Sequence, residues 1–339
     1  MTTKKLGKQT VAFASPPSIA GHANVVGKKE GEGPLRASFD LINQDDTFGE
    51  SSWEKAESAM QKLALQNALD KAKQAASTLD FIFAGDLLNQ CIASSFAIRG
   101  QGVPFFGLYG ACSTMAESLT LASMMLDGGF GEWAAAMASS HFCSAERQYR
   151  TPLEYGGQRT PTAQWTVTGA GAVVLAREGD GPHITHATVG KIVDKGIKDA
   201  NNMGAAMAPA AYDTLSTHFS DTGRKPSYYD LIVTGDLGTL GKGIVLDFFH
   251  KDGVDLQNLD DCGVLIYDAQ GQDVHCGGSG CGCSAAVLTG FLLNGMREGR
   301  WKKILFCGTG ALLSPTSTMQ GESIPGICHA VAISTQKGG

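Results

Sequence analysis

The sequence predicts an α/β protein made of two similar halves, with mixed, mostly parallel sheets packed in layers. Three observations predict it. Asp80–Leu87 and Asp230–Leu237 agree at five of eight positions, 150 residues apart. Both are short, continuous apolar runs, the pattern of strands buried on both faces. Each is then followed, in the same order, by a cysteine-bearing turn that opens a helix: Gly110-Ala111-Cys112-Ser113 and Gly280-Cys281-Gly282-Cys283-Ser284.

The elements follow in chain order. Ser51-Ser52-Trp53-Glu54 has the capping-box pattern and opens a helix with Trp53, Ala56, Met60, Ala64, Ala68 and Ala72 on one face. The apolar run Val103–Leu108 precedes the Cys112 turn. Behind that turn Met115, Leu119, Ala122 and Leu126 recur at helical spacing, and Asp127-Gly128-Gly129 ends the segment. Residues 133–138 and 171–176 read as the next strands. The second half repeats this with a helix over 203–219, the strand at 231–233, a helix over 285–296, and strands at 303–307 and 330–333. The division expected from this pattern is 1–200 and 201–339. Residues 15–50, with Pro16-Pro17, Gly33-Pro34 and Asp45-Asp46, read as an irregular covering segment.

Bulk properties exclude several functions. A net charge of -6 argues against a nucleic-acid binder, because phosphate recognition needs clustered Lys and Arg. Nine cysteines without a small-domain framework read as reduced thiols in an intracellular compartment. The charged start Met1–Lys8 lacks the apolar stretch of a secretory signal, and no run reaches the roughly 18 apolar residues of a spanning helix. Work at a membrane would therefore require docking on a partner. Cys276, Cys281 and Cys283 lack the Cys-x2-Cys pairs of a zinc site, and the Gly-rich 277–283 loop lacks the Lys-Ser/Thr ending of a P-loop.

The Cys112 turn carries the most chemistry. A thiol at a helix start faces unpaired backbone N–H groups and the positive dipole end, which favour thiolate and also bind anions. The alternative, a small buried cysteine that packs a strand-to-helix turn, stays open at this point. Ligand sites of α/β sheets lie beyond the carboxyl ends of strands. That leaves four loops to consider: 85–89, the Cys112 turn, 139–150 and 277–283.

This duplicated pattern, with a cysteine opening a helix and Gly169–Leu175 as the strand after the site loop, resembles the thiolase and ketoacyl-synthase superfamily. Within it the chain resembles the stage V sporulation protein AD family nearly end to end. The strings that carry this are Gly7–Thr10, Gly33–Leu35, Ala84–Gln90, Gly110–Thr114, Ala145–Gln148, Glu154–Gln158, Met207–Ala210 and Gly308–Pro315. The resemblance implies a thiolase-like fold and a role in the uptake of dipicolinic acid, pyridine-2,6-dicarboxylate, into the spore. It further implies association with other stage V sporulation membrane proteins of the AA to AF type, at the spore inner membrane. Superfamily members pair across their central sheets, so a homodimer or a hetero-complex is expected.

Condensing enzymes of this superfamily set the cysteine against a His with an Asn, or a His with a second Cys. Cys112 matches the nucleophile. The loop where the synthase His should stand reads Thr234-Gly235-Asp236-Leu237, and 277–284 holds neither His nor Asn. An aspartate beside the thiol works against thiolate. The expected function is therefore non-enzymatic binding of dipicolinic acid or its calcium chelate in a former condensing-enzyme pocket, with no cofactor. The alternative is an acyltransferase or condensing enzyme with Cys112 as nucleophile. For a dicarboxylate the candidate ligand residues are Cys112, His141, Arg147, Arg150, Asp236 and His329. The guanidinium groups suit bidentate carboxylate contacts, the aspartates at 86 and 236 are placed to meet a chelated calcium, and no metal is expected to be held by the protein alone.

Overall fold

A computed structural model describes residues 4–149 and 159–338 of the chain. Ten principal strands carry the fold: β1 Ser18–Val26, β2 Phe81–Gly85, β3 Phe105–Leu108, β4 Trp133–Ser140, β5 Gly169–Ala176, β6 His183–Thr188, β7 Leu231–Thr234, β8 Leu259–Asp261, β9 Lys303–Ala311 and β10 Gly326–Ser334. They hydrogen-bond in the order β8-β7-β9-β10-β6-β1-β5-β4-β2-β3. Written as two sets, this is β1-β5-β4-β2-β3 and β6-β10-β9-β7-β8. Both halves therefore have one topology, joined where His183 of β6 pairs with Ser18 of β1. The outer arms, β4-β2-β3 and β9-β7-β8, are parallel, and the central strands are antiparallel.

The main helices are α1 Trp53–Ala72, α2 Ile92–Ile98, α3 Thr114–Asp127, α4 Phe142–Tyr149, α5 Met203–Thr222, α6 Gly238–Lys251 and α7 Cys281–Val287. Helix α1 lies on β1, β5 and β4, and α5 lies on β10 and β9. Helix α3 touches β4 and β2 of the first set and β9 and β10 of the second, and α7 packs beside it. The result is a layered sandwich with α3 and α7 in the middle. Met115, Ala116, Leu119, Ala122 and Leu126 of α3 are fully buried there, which is what the apolar spacing of that segment demands.

The repeated aspartates explain the sequence match. Asp80 accepts backbone N–H bonds from Glu132 (2.7 Å) and Trp133 (3.0 Å) at the start of β4. Asp230 does the same for Lys302 (2.7 Å) and Lys303 (2.9 Å) at the start of β9. Each carboxylate sets the register of the neighbouring strand, and Asp86 and Asp236 end the two equivalent strands, both fully buried.

Two expectations need correction. The segment 15–50 contains β1, a buried nine-residue strand at the centre of the sheet. His22 and Asn24 obscure it in the sequence; in the structure His22 Nδ1 donates to Thr289 O (2.7 Å) and Asn24 Oδ1 accepts from the Asp40 backbone N–H (3.0 Å). Strand β6 pairs with β10, so residues 183–188 hydrogen-bond with the second set of strands. The cap of α1 is Ser52, whose side chain accepts from the Lys55 N–H, rather than Ser51.

Candidate functional site

The two cysteine-bearing turns meet at the carboxyl ends of the parallel arms. Ala111 sits at φ 51°, an unfavourable left-handed geometry for a residue with a Cβ. That kink places Cys112 in a 3-10 turn just ahead of α3. The turn is closed by the Ser113 hydroxyl donating to Gly110 O (2.7 Å) and Thr114 to Ala111 O (2.6 Å). A Cβ at Gly310 of β9 would lie 2.9 Å from Gly110 O, so a glycine is needed for β9 to reach this turn.

Asp236 stands against the thiol. Its carboxyl group accepts from Thr309 Oγ1 (2.8 Å), Gly280 N (2.9 Å) and Ser279 Oγ (3.3 Å), and it lies close enough to Cys112 for each to shift the other's pKa. Burial pushes the Cys112 thiol well above its ordinary range, and the adjacent Asp236 charge pushes it further. Burial also raises the Asp236 carboxyl, against the pull of these hydrogen bonds. The helix start that would favour thiolate is thus outweighed by desolvation and a like charge. Burial and the neighbouring acid thus hold this thiol in its protonated form.

Above it opens a cavity of about 250 Å³. Its walls are mainly apolar, from Leu87, Ala111, Ala145, Met203, Ala311 and Leu313. Polar groups come from Cys112, Tyr149, Thr166, Asn201, Ser279 and Glu146. Glu146 is the one charged residue among the described lining residues. The cavity lies between loop 86–89 and α4, which hold each other: Tyr149 OH (2.5 Å) and Gln148 Nε2 (3.0 Å) donate to Leu87 O, and Asn89 N donates to Gln148 Oε1 (3.0 Å).

Of the residues expected from sequence, the structure brings Cys112 and Asp236 together. His141 is turned away from the cavity. Its Nδ1 accepts from Cys143 N (3.2 Å), so its Nε2–H donates to Asp46 O (2.7 Å). Burial lowers its pKa and keeps it neutral. Arg147 pairs with Glu54 and lies over the Trp53 ring on the outside of α1. His329, on β10 opposite Gly308, accepts from Gly190 N (3.1 Å), and burial lowers its pKa to about 4. Neither it nor Arg147 lines the cavity. Arg150 and the string 154–158 lie outside the described residues. Sequence reasoning missed Tyr149, Asn201 and Leu313. Leu87 and Ala145 fall inside the family-type strings 84–90 and 145–148, the signal that could have found them. Among the described residues no three His, Cys, Asp or Glu side chains are placed to hold a metal ion.

Comparison with known proteins matches this architecture. The family described as stage V sporulation protein AD (SpoVAD) matches residues 7–334. Stage V sporulation protein AD of Bacillus subtilis strain 168 is 45% identical over 329 residues, covering 97% of both chains. This chain belongs to the stage V sporulation protein AD family. Membership gives it a role in sporulation. Solved structures with the same fold include 3-oxoacyl-[acyl-carrier-protein] synthase III from Aquifex aeolicus VF5, with TM-score 0.58 and 15% identity over 94% of this chain and 99% of that one. A single-residue variant of Xanthomonas campestris OleA aligns with TM-score 0.62 and 16% identity over 95% of this chain and 99% of that one. At that identity the likeness is one of fold, and it places this family member in the thiolase-like class. No helix among the described residues is long and apolar enough to cross a membrane.

Proposed function

We propose that the chain is a binding protein for dipicolinic acid, held as its calcium chelate in the cavity above Cys112, and that it serves uptake of that ligand into the developing spore. The observation that carries this reading is the Asp236 carboxylate on the Cys112 thiol. A cysteine nucleophile needs neighbours that stabilise its thiolate, and here a buried carboxyl group whose charge opposes the thiolate stands beside it. The cavity offers a mainly apolar lining with Asn201, Thr166 and Ser279 as polar groups. A bare dianion would meet Glu146 and no cation among the described lining residues, whereas the calcium chelate carries no net charge. The reading includes delivery to stage V membrane proteins of the AA to AF type by peripheral association with the spore inner membrane. It also includes pairing with a second copy or a hetero-partner, supported by the outer edge of β3, where Phe106 and Gly107 are exposed and no strand follows in the order.

Isothermal titration with pyridine-2,6-dicarboxylate, with and without equimolar calcium, tests it. Saturable binding is expected, tighter with calcium. Asn201→Ala should weaken it about tenfold, the equivalent of one hydrogen bond. Arg147→Ala, outside the cavity, should leave affinity within about twofold. No heat under either condition from folded protein would overturn the reading. An acyl group trapped on Cys112 from an acyl-CoA would favour the condensing-enzyme alternative.

A further inference from the structure

Beneath the cavity lies a buried polar chain that the proposed site does not use. Glu57 of α1 and Asp86 after β2 are both fully buried. They are joined through Ser139, Gln61 and Ser94. Ser139 Oγ donates to Glu57 Oε1 (2.9 Å), Gln61 Nε2 lies 3.2 Å from Ser139 Oγ and 3.1 Å from Ser94 Oγ, and Ser94 Oγ donates to Asp86 Oδ2 (2.6 Å).

Counting hydrogens locates a proton. Asp86 accepts three bonds, from Leu88 N (2.9 Å), Ser94 N (2.8 Å) and the Ser94 hydroxyl, which suits an ionised carboxylate. Ser144 Oγ lies 2.9 Å from Glu57 Oε2 and 3.1 Å from His141 O, with one hydrogen to give. The carbonyl can only accept. Both contacts are satisfied when Ser144 donates to His141 O and a protonated Glu57 donates to Ser144.

We propose that the Glu57 proton is a latch that docks α4 onto α1, keeping the α4 and 86–89 walls closed over the ligand, and that its loss opens the cavity. The ligand half of this inference rests on the binding reading above. The mechanical half rests on connectivity. Through Ser144, Glu57 holds the first turn of α4, whose Ala145, Glu146 and Tyr149 line the cavity. Asp86 pins the neighbouring loop through Leu88 N, beside Leu87, the residue that Tyr149 and Gln148 grip. Deprotonated Glu57 would place a second charge near Asp86 in a dry interior and draw the Ser144 hydrogen away from His141 O.

Among the described residues the surroundings offer no compensating cation. From α2 and the loop before it come Asp86 and Cys91. From α7 comes Cys281, its thiol on Ser139 O (2.9 Å), with Asp236 beyond it. Helix α4 supplies Cys143, Glu146 and Arg147, the last committed to Glu54. On β1, His22 is turned to Thr289 O. Among the described residues neither Glu57 nor Asp86 is paired with a cation. Burial, with Asp86 adding to it, pushes Glu57 up to about 8, and burial raises Asp86 as well. A carboxyl raised in the folded state favours folding below its unfolded value and loses that contribution as pH climbs. The window therefore runs from the ordinary glutamate range to about 8.

Amide hydrogen exchange read by mass spectrometry on the full chain without ligand tests the latch. Protection factors, corrected for the intrinsic pH dependence, should fall about tenfold in 86–89 and 142–149 between pH 7 and pH 9. Glu57→Gln keeps a neutral donor and acceptor at this position and should abolish that pH response while retaining high protection. Ser144→Ala should leave 142–149 poorly protected at every pH, with the other strands unchanged. A flat wild-type profile, or a pH response that survives in Glu57→Gln, overturns the proposal. Calcium dipicolinate binding should weaken over the same range in wild type only. If the exchange pattern holds but that ligand never binds, the binding reading fails and the latch stands.

Discussion

Gly282→Ala is expected to lower stability by about 3 kcal/mol, the upper end for overpacking, and to depress the melting temperature by roughly 4 °C. A Cβ at 282 would sit 2.4 Å from Gly169 O, 2.5 Å from Ser140 Oγ and 2.7 Å from Ser140 N. Two of these are backbone atoms of β4 and β5 at the heart of the sheet, so neither can give way cheaply. The head of α7 must then move, and with it Gly280 and Ser279, which hold Asp236. The substitution should also disturb the cavity floor. Gly243→Ala is the control: nothing lies within 4 Å of its added Cβ on α6, so up to about 1 kcal/mol of stabilisation from helix propensity is expected. Thermal melts of the two variants against wild type decide the matter. An unchanged melting temperature for Gly282→Ala would mean that α7 is loosely docked.

That result bears on how the glycine-rich loop was to be read. In sequence it is one of four candidate site loops, without the ending of a P-loop, and in the structure the glycines at 280 and 282 let α7 cross β4 at backbone contact distance. The duplication was legible because Asp80 and Asp230 perform one task, gripping the next strand, and identical tasks leave identical residues. Cys112 and Asp236 were legible for the same reason: each ends or begins an element at a repeated position. The strand 18–26 was not, since buried His22 and Asn24 break its apolar run and their partners, Thr289 and Asp40, are visible only in space. Glu57 and Gln61 were hidden in the same way. They sit on the same helical face as Met60, Ala64 and Ala68 and are buried with them, as polar residues on an apolar face whose partners, serines from β4, α2 and α4, come together only in space. His141 and Arg147 looked like ligand donors because their loop follows a site strand. Local bonds to Asp46 and Glu54 claim both.

Cys112 is expected to be nearly inert to alkylation. An ordinary thiol, with pKa about 8.5, is roughly one-tenth thiolate at pH 7.5, and each further unit removes a factor of ten. Burial and Asp236 hold Cys112 well above that value. Iodoacetamide should therefore label it at least about a hundredfold more slowly than glutathione at pH 7.5, as followed by peptide mass mapping. Asp236→Asn removes the opposing charge and offers an N–H toward the sulfur. The rate should rise by about tenfold or more, since a hydrogen bond to the charged form favours it. The amide can still accept from Gly280 N, with Thr309 turning to accept its N–H, so the fold should tolerate the change. The two rates separate the causes of inertness. If Asp236→Asn leaves labelling slow, burial alone silences the thiol and Asp236 serves chiefly to tie β9, α7 and the Cys112 turn together. If the wild-type thiol already reacts like glutathione, it is substantially ionised at neutral pH. The helix start would then outweigh the carboxylate, and Cys112 would hold the charge state that a thioester-forming enzyme requires.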